Sequence, residues 1–245
     1  SATTTYYAQA GTSCVSIRVP VDAVIATTSA DPTVSNADRC GDGTLDLTAS
    51  SSDPVSWYDA PNGTLLGSGY TFTTPTLSAT TTYYAVAGIS GCLSNFVSVT
   101  ATINPRPVAP TVTSDSNCGP ALLILSAASA NSITWYSAPT GGTVITTGAT
   151  YQDTFNSTTT FYVESNDGTC SSLRIPVTAT IYTPPTVILG PDTINIVTGQ
   201  TITLNAGTGY ASYEWSTTAT TQTINVNTSS IVYVTVIDVN GCQGS

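Results

Sequence analysis

The chain repeats itself with a period of 78 residues. A cysteine, a tryptophan, a tyrosine and a second cysteine recur with gaps of 17, 27 and 8 residues in two consecutive copies. A period longer than about 50 residues that carries its own core markers indicates tandem domains, each with its own core, rather than turns of a solenoid. The marker residues are Cys40, Trp57, Tyr84 and Cys92 in the first copy and Cys118, Trp135, Tyr162 and Cys170 in the second.

The repeat also predicts where the modules begin and end. The segment "TTTYYAQAGTSC" (3–14) matches "TTTYYAVAGISGC" (80–92), so the chain starts inside a module whose earlier part we expect to be missing. Short linkers, two of them with proline, separate the modules and are typical of stiff spacers. The expected modules are 1–27, the C-terminal part of one; 28–104 and 105–183, two whole ones; and 184–245, a related but distinct one.

Within a module, short segments of alternating polar and apolar residues predict β-strands, for example "VSWY" (55–58) and "FVSVTATI" (96–103). About seven short strands, with a buried tryptophan on the third and a tyrosine opening the sixth, describe an immunoglobulin-like sandwich. The predicted fold class is all-β: tandem immunoglobulin-like β-sandwich modules arranged as an extended rod. The predicted core markers are Trp57, Trp135, Trp215, Tyr84, Tyr162 and Tyr233.

The last module departs from this plan. It has no first cysteine, because Ile196 or Val197 stands at the corresponding place, and Trp215 lies only 18 residues before Tyr233. The middle strands are therefore predicted to be shortened, as in sandwiches like those of polycystic kidney disease (PKD-like) domains.

Composition excludes several classes of function. Only 4 residues are Lys or Arg against 14 acids, and this net charge of −10 argues against nucleic-acid binding. No apolar run reaches the ~20 residues that a membrane-spanning helix requires. Histidine and lysine are absent, and Glu164 and Glu214 lie in different modules, so neither a general base nor a paired-carboxylate site is predicted. We expect no enzymatic activity and no cofactor.

The six cysteines predict disulfides in an oxidising compartment, since no Cys-x-x-Cys or histidine suggests a metal site. Two pairing schemes stay open. Pairing within modules gives Cys40 with Cys92 and Cys118 with Cys170, whereas pairing across junctions gives Cys40 with Cys170 and Cys118 with Cys242. The candidates are Cys14, Cys40, Cys92, Cys118, Cys170 and Cys242.

Two further patterns have weaker functional interpretations. The acidic cluster Asp38, Asp42, Asp46 and Asp53 has ligands suited to calcium, but its spacing is not that of an EF-hand, and a solvated turn is the favoured interpretation. An aromatic stripe is predicted on the outer face, where stacking on sugar rings competes with the favoured cross-strand packing. Its members are Tyr58 with Tyr83 and Tyr84, and Tyr136 with Phe161 and Tyr162.

The segments "WYDAPNGT" and "WYSAPTGGT", with "TTTYY" and the downstream cysteine, resemble the tandem Ig-like repeats of large secreted Bacteroidota surface proteins. The stretch from "LGPDT" to "YVTVIDVNGC" is similar to the PKD-like module that often precedes the C-terminal sorting domain of type IX secretion substrates, among them gliding-motility adhesins. This resemblance implies an extracellular, outer-membrane-attached protein that meets its secretion and anchoring machinery through a C-terminal domain outside this sequence. The tripeptide Asp192-Thr193-Ile194 is similar to the O-glycosylation signal of this phylum, which makes Thr193 a glycosylation candidate.

The sequence is therefore interpreted as the stalk of a secreted cell-surface adhesin that serves attachment or gliding, with surface glycans as candidate ligands. Two alternatives stay open: a non-catalytic region of a secreted polysaccharide-degrading enzyme, and a carbohydrate-binding array.

Overall fold

A computed structural model describes residues 2–25, 27–89 and 91–245. These residues form 23 β-strands and no helix, which confirms the all-β prediction. The abundant threonine, valine, isoleucine and tyrosine suit pleated strands, because branched and aromatic side chains pack well on a sheet surface. The chain divides into two compact units, Ser1–Arg106 and Pro107–Ser245.

The first unit contains a hairpin and a two-layered sandwich. The hairpin pairs its first two strands, and the sandwich packs a five-stranded sheet of order β4-β10-β9-β6-β7 on a three-stranded sheet of order β3-β5-β8. The strands are β1 (Ala2–Ala8), β2 (Val19–Ile25), β3 (Thr33–Ser35), β4 (Ala37–Cys40), β5 (Asp46–Ser50), β6 (Val55–Tyr58), β7 (Leu65–Ser68), β8 (Thr71–Thr73), β9 (Thr81–Ala87) and β10 (Val97–Asn104).

Alternate residues of the two facing sheets build the core of this sandwich. Leu47 on β5 and Trp57 on β6 are both 0% exposed, and Val99 on β10 joins them from the same face of the larger sheet as Trp57. The indole N–H of Trp57 donates to the carbonyl of Gly69 at 2.8 Å, so the buried ring keeps its polar atom satisfied. Gly69 has a φ of 120°, a conformation that an L side chain rarely adopts.

The second unit repeats this sandwich and adds a smaller one. A three-stranded sheet of order β11-β13-β16 faces a five-stranded sheet of order β12-β18-β17-β14-β15, and Trp135 is buried between them with its indole donating to Gly148. The strands are β11 (Thr111–Thr113), β12 (Asp115–Cys118), β13 (Ala121–Ala128), β14 (Ser132–Tyr136), β15 (Val144–Thr147), β16 (Thr150–Phe155), β17 (Thr159–Asn166) and β18 (Ile175–Tyr182).

The last segment forms two short sheets, of order β19-β21 and β20-β22-β23, around the buried Trp215. Its middle strands are short. The Trp215 indole N–H donates to the carbonyl of Thr221, six residues later in the chain. In the two larger sandwiches the corresponding acceptor is a glycine carbonyl twelve or thirteen residues after the tryptophan. The strands are β19 (Ile202–Asn205), β20 (Ser212–Trp215), β21 (Thr223–Val226), β22 (Val234–Ile237) and β23 (Gln243–Gly244).

The prediction of Tyr84 as a core marker is wrong. Trp57 faces the core and is paired with Ala85, so the next pair along the two strands, Tyr58 and Tyr84, lies on the outer face. The inward aromatic residue is Tyr83, which is 5% exposed. Side chains of a strand alternate between the two faces of the sheet. An error of one residue in the predicted register therefore puts Tyr84 in the core and Tyr83 on the outer face, the reverse of what is observed.

The other two tyrosine markers also miss the core position by one residue, Tyr162 in the same direction as Tyr84 and Tyr233 in the opposite direction. Tyr162 pairs with Tyr136 on the outer face, whereas Phe161 is buried in the core. Tyr233 is 64% exposed, and the following residue, Val234, takes the core position at 2% exposure. Tyr162 and Tyr233 are therefore outer-face residues, and Tyr83 and Phe161 do not belong to the predicted outer stripe.

Candidate functional site

The most distinctive site in the second unit is a disulfide between the sandwich of β11–β18, called the repeat 107–184 below, and the segment that follows it. The sandwich of β3–β10 is likewise called the repeat 30–105. Cys118 is the last residue of β12, which runs parallel to β18 and aligns Cys118 with Tyr182. The backbone N–H of Gly119 donates to the Tyr182 carbonyl at 2.8 Å and fixes this alignment. Cys118 consequently lies where the chain leaves its repeat and enters the next segment.

Its partner, Cys242, lies in a tight turn between β22 and β23. An oxygen of the Asp238 carboxylate accepts hydrogen bonds from the backbone N–H groups of Asn240 and Cys242, each at 2.8 Å. The Asp238 N–H in turn donates to the Cys242 carbonyl at 3.0 Å. This turn holds the Cys242 side chain fully buried at 0% exposure.

The sulfur atoms of Cys118 and Cys242 are bonded, with their Cα atoms 5.5 Å apart and a sequence separation of 124. This is the pairing of the cross-junction scheme, and the within-module alternative, which joins Cys118 to Cys170, is wrong. The geometry of the fold explains the outcome: the first cysteine of a repeat lies at one end of the sandwich and the second lies at the other. The remaining cysteines are Cys40 and Cys170, which are also disulfide-bonded, and Cys14 and Cys92, which are free thiols.

A similar turn precedes Cys170. The Asp167 carboxylate accepts from the backbone N–H groups of Cys170 at 2.8 Å and Thr169 at 2.9 Å. The bond from Cys170, followed by that from Thr169, holds the pKa of the Asp167 carboxyl below its usual value, because both favour the ionised form. The sequence signal for this turn, an aspartate three or four residues before the cysteine, was not recognised in the sequence analysis.

A second cluster of polar side chains lies on the outer face of the repeat 107–184. The Arg174 guanidinium lies 3.3 Å from the ring centroid of Tyr136, and its Nε donates to Oε2 of Glu164 at 3.1 Å. Its Nη1 donates to the carbonyls of Ala138 and Gly141, at 2.7 and 2.6 Å, and so ties down the loop between β14 and β15.

Glu164 accepts hydrogen bonds from three neighbouring side chains. Its Oε1 accepts from the hydroxyls of Tyr136 and Ser171, each at 3.0 Å, while its Oε2 accepts from Arg174. Burial, and then the hydrogen bond to Glu164, raise the pKa of Tyr136 above its usual value. A carboxylate with all these partners is arranged to hold a surface together rather than to take a proton from a substrate.

The corresponding place in the repeat 30–105 is apolar. Phe96 stands where Arg174 stands, and its ring packs edge-on against Tyr58 with centroids 5.3 Å apart. Val86, at 1% exposure, replaces Glu164. The outer aromatic residues Tyr58 and Tyr136 thus have packing partners within their own repeats.

The acidic residues considered for calcium do not come together into a site. The Asp46 carboxylate accepts from the Thr73 hydroxyl at 2.5 Å, across the β5–β8 pair. Within the described ranges, no three Cys, Asp or Glu side chains are grouped in a way that would hold a metal ion.

The glycosylation candidate Thr193 is exposed and lies in the irregular segment before β19. It forms part of the wall of an open groove of about 460 Å³, whose lining includes residues 191–196 and 228–232. The backbone of 192–198 has no strand partner, so Thr193 is presented on an unpaired stretch of chain.

Residues 30–105 and 107–184 both match the model of the family described as "Ig-like domain CHU_C associated". The two matches together cover more than half of the chain, and the chain therefore belongs to this Ig-like family. This result confirms the prediction of tandem immunoglobulin-like sandwiches.

Solved structures with similar folds are distant. The N-terminal four Ig domains of Dscam1 isoform 4.4 are 14% identical, with 98% of this chain and 78% of that chain covered and a TM-score of 0.27. The titin domains z1z2 in complex with telethonin are 12% identical, with 66% and 100% covered and a TM-score of 0.26. No curated protein matches this chain.

The family and the disulfide indicate an extracellular protein region of structural, non-catalytic type. In the part of the chain that the structure describes, no helix is long and apolar enough to cross a membrane.

Proposed function

We propose that this chain is the structural stalk of a secreted cell-surface adhesin, which holds a distal binding region away from the cell for attachment or gliding. The observation that carries the proposal is the Cys118–Cys242 disulfide. It joins one Ig-like repeat to the next segment and closes a long loop, so the chain between the two cysteines cannot be drawn out under load. Such a link preserves the length of a spacer but adds nothing to a catalytic or ligand pocket.

The surface chemistry supports the same function. The Glu164 carboxylate accepts hydrogen bonds from Tyr136, Ser171 and Arg174, and the outer residues Tyr58 and Tyr136 are packed within their own repeats. Polar groups satisfied by their own module are available to stabilise that module and are not held ready for a substrate.

The cellular setting in the proposal follows from the sequence resemblance to type IX secretion substrates. The protein would be exported by that system, attached to the outer membrane through a C-terminal sorting domain, and brought near surface glycans by its distal part. The Ig-like family and the disulfide, both of which suit an extracellular location, support this setting.

A spacer-replacement experiment tests the proposal. In cells that produce the protein, residues 30–245 are replaced by unrelated Ig-like repeats of equal number and length, and a second strain carries a simple deletion of the same residues. A stalk predicts that attachment is lost in the deletion strain and restored by the unrelated spacer. If the unrelated spacer fails to restore attachment while the protein is displayed at normal levels, these residues bind a ligand themselves, and the stalk function is excluded.

A further inference from the structure

The hairpin β1–β2 is paired like β9 and β10, two interior strands of the five-stranded sheet, but it has no sandwich around it. Tyr6 pairs with Val21 in β1–β2, in the same register in which Tyr83 pairs with Val99 in β9–β10. The exposed fractions differ greatly: 62% and 58% for Tyr6 and Val21, against 5% and 0% for Tyr83 and Val99. The hairpin therefore presents a core-forming face to solvent.

The complete sandwich of β3–β10 shows which strands pack against this face. Tyr83 and Val99 share a core with Leu47 on β5, in the facing sheet, and with Trp57 on β6, in their own sheet. The face of the hairpin is complementary to the same strands of another repeat of this family, because its register and its inward residues are the same.

The free thiol of Cys92 is a second, independent observation that indicates a binding partner. It occupies the place in its repeat that the bonded Cys242 occupies in the last segment, yet it is a free thiol and only half-buried, where Cys242 is 0% exposed. Its carbonyl accepts from both the N–H and the hydroxyl of Ser29, at 3.2 and 3.0 Å. Ser29 follows four residues after the end of β2, so Cys92 lies beside the chain that leaves the hairpin.

The Cys118–Cys242 disulfide shows which strand would carry a cysteine that could pair with Cys92. Cys118 is aligned with Tyr182 at the end of β18, and β2 is the counterpart of β18 in the hairpin. A strand equivalent to β12, added beside β2 in the same way, would end with its cysteine next to the linker that carries Ser29. Cys92 is the thiol at that position.

We infer that the hairpin β1–β2 and Cys92 together form a docking site for the N-terminal strands of a further Ig-like repeat, which precedes the hairpin in the same polypeptide. Those strands complete the sandwich, and their first cysteine forms a disulfide with Cys92. The two thiols lose two protons and two electrons to a protein disulfide oxidant of the extracellular compartment, whose own disulfide is reduced to two thiols. A second copy of this chain does not fit, because its strands β3–β8 already pack with its own β9 and β10.

Non-reducing peptide mapping tests the inference on the whole protein isolated from the cells that produce it. Free thiols are alkylated in denaturant without reductant, and the protein is digested with pepsin because arginine is scarce and lysine absent. The expected product joins the Cys92 peptide to a cysteine peptide from outside the 245 residues, with the Cys118–Cys242 peptide as the internal control. Alkylated Cys92, a Cys92–Cys14 peptide or a Cys92–Cys92 dimer would each overturn the inference.

Hydrogen exchange gives a readout that does not depend on the thiol. Amides of residues 3–25 are expected to exchange at least ~100-fold more slowly in the whole protein than in the 245-residue chain, since burial of a sheet face suppresses local opening. Equal exchange in the two proteins would show that nothing covers the hairpin. Neither measurement depends on whether the protein is an adhesin.

Discussion

At the scale of single residues, the two Ig-like repeats stabilise the same outer surface by different chemistry. The repeat 30–105 uses the apolar set of Tyr58, Phe96 and Val86, whereas the repeat 107–184 places Glu164 and Arg174 at two of these positions. Both charged side chains are only 14% exposed, so each depends on the other to offset the loss of water. Removing either Arg174 or Glu164 alone is therefore expected to lower the free energy of unfolding, because the other charge would be left buried without its partner.

Replacing Arg174 by alanine is expected to destabilise the second unit by about 2–3 kcal/mol, because Glu164 and two backbone carbonyls lose charged donors. The matched control is Arg18→Ala at the equivalent position of the exposed hairpin, which is expected to change stability by less than ~0.5 kcal/mol. Urea titration of the free energy of unfolding measures both variants. Equal losses of stability in Arg174→Ala and Arg18→Ala would show that the contacts of Arg174 with Glu164, Ala138 and Gly141 do not stabilise the second unit.

The sequence predicted the three buried tryptophans but not which tyrosine faces inward. Tyr83 and Tyr84 are adjacent aromatic residues, and a period of two fits either one. The choice is made by the register of β9 against β6, where Trp57 meets Ala85. That register is a long-range pairing, which alternation within one strand does not contain.

At the scale of elements, the structure distinguishes two sites with the same local sequence pattern. Asp153-Thr154-Phe155 and Asp192-Thr193-Ile194 both have aspartate, threonine and an apolar residue in that order. Thr154 is paired with Leu122 within the β13–β16 sheet, whereas Thr193 lies on a stretch with no strand partner. An enzyme that must bind the extended backbone around its acceptor can reach the second site but not the first.

Protein secreted by its own host is therefore expected to carry a sugar on Thr193 and none on Thr154. The mass of a peptide covering residues 184–200 should exceed that of the bare sequence, and Asp192→Ala should remove the excess. A peptide containing Thr154, from the same digest, is the control. Recovery of the 184–200 peptide at its unmodified mass alone would end the proposal.

The disulfide pairing is also decided by elements rather than by residue spacing. Two schemes fitted the sequence equally, because the cysteine spacing repeats in both. The parallel pairing of β12 with β18 places Cys118 at the exit of its repeat, away from Cys170 and beside the turn that holds Cys242. Strand order at the edge of a sheet is a tertiary property that the repeat pattern does not specify.

At the scale of the whole molecule, the disulfide is expected to supply much of the stability of the last segment, whose core is small. Closing a loop of 124 residues removes up to ~4–5 kcal/mol of unfolded-state entropy. The double variant Cys118→Ser, Cys242→Ser should lower the free energy of unfolding of the second unit by an amount approaching this value. Both variants are made in the 245-residue chain, where Cys92 is a free thiol and Cys92→Ser should leave stability unchanged. A double variant as stable as that control would contradict the structural role of the bond.

The central claim is that the chain serves as a spacer of tandem sandwiches, and small-angle X-ray scattering of the 245-residue chain tests it most directly. If the three sandwiches and the part expected from the sequence, each roughly 35–40 Å long, are joined end to end, the radius of gyration is roughly 35–40 Å. The account predicts that value, with a scattering profile typical of an elongated particle. A radius near ~18 Å, as expected for one compact domain of this length, would contradict it.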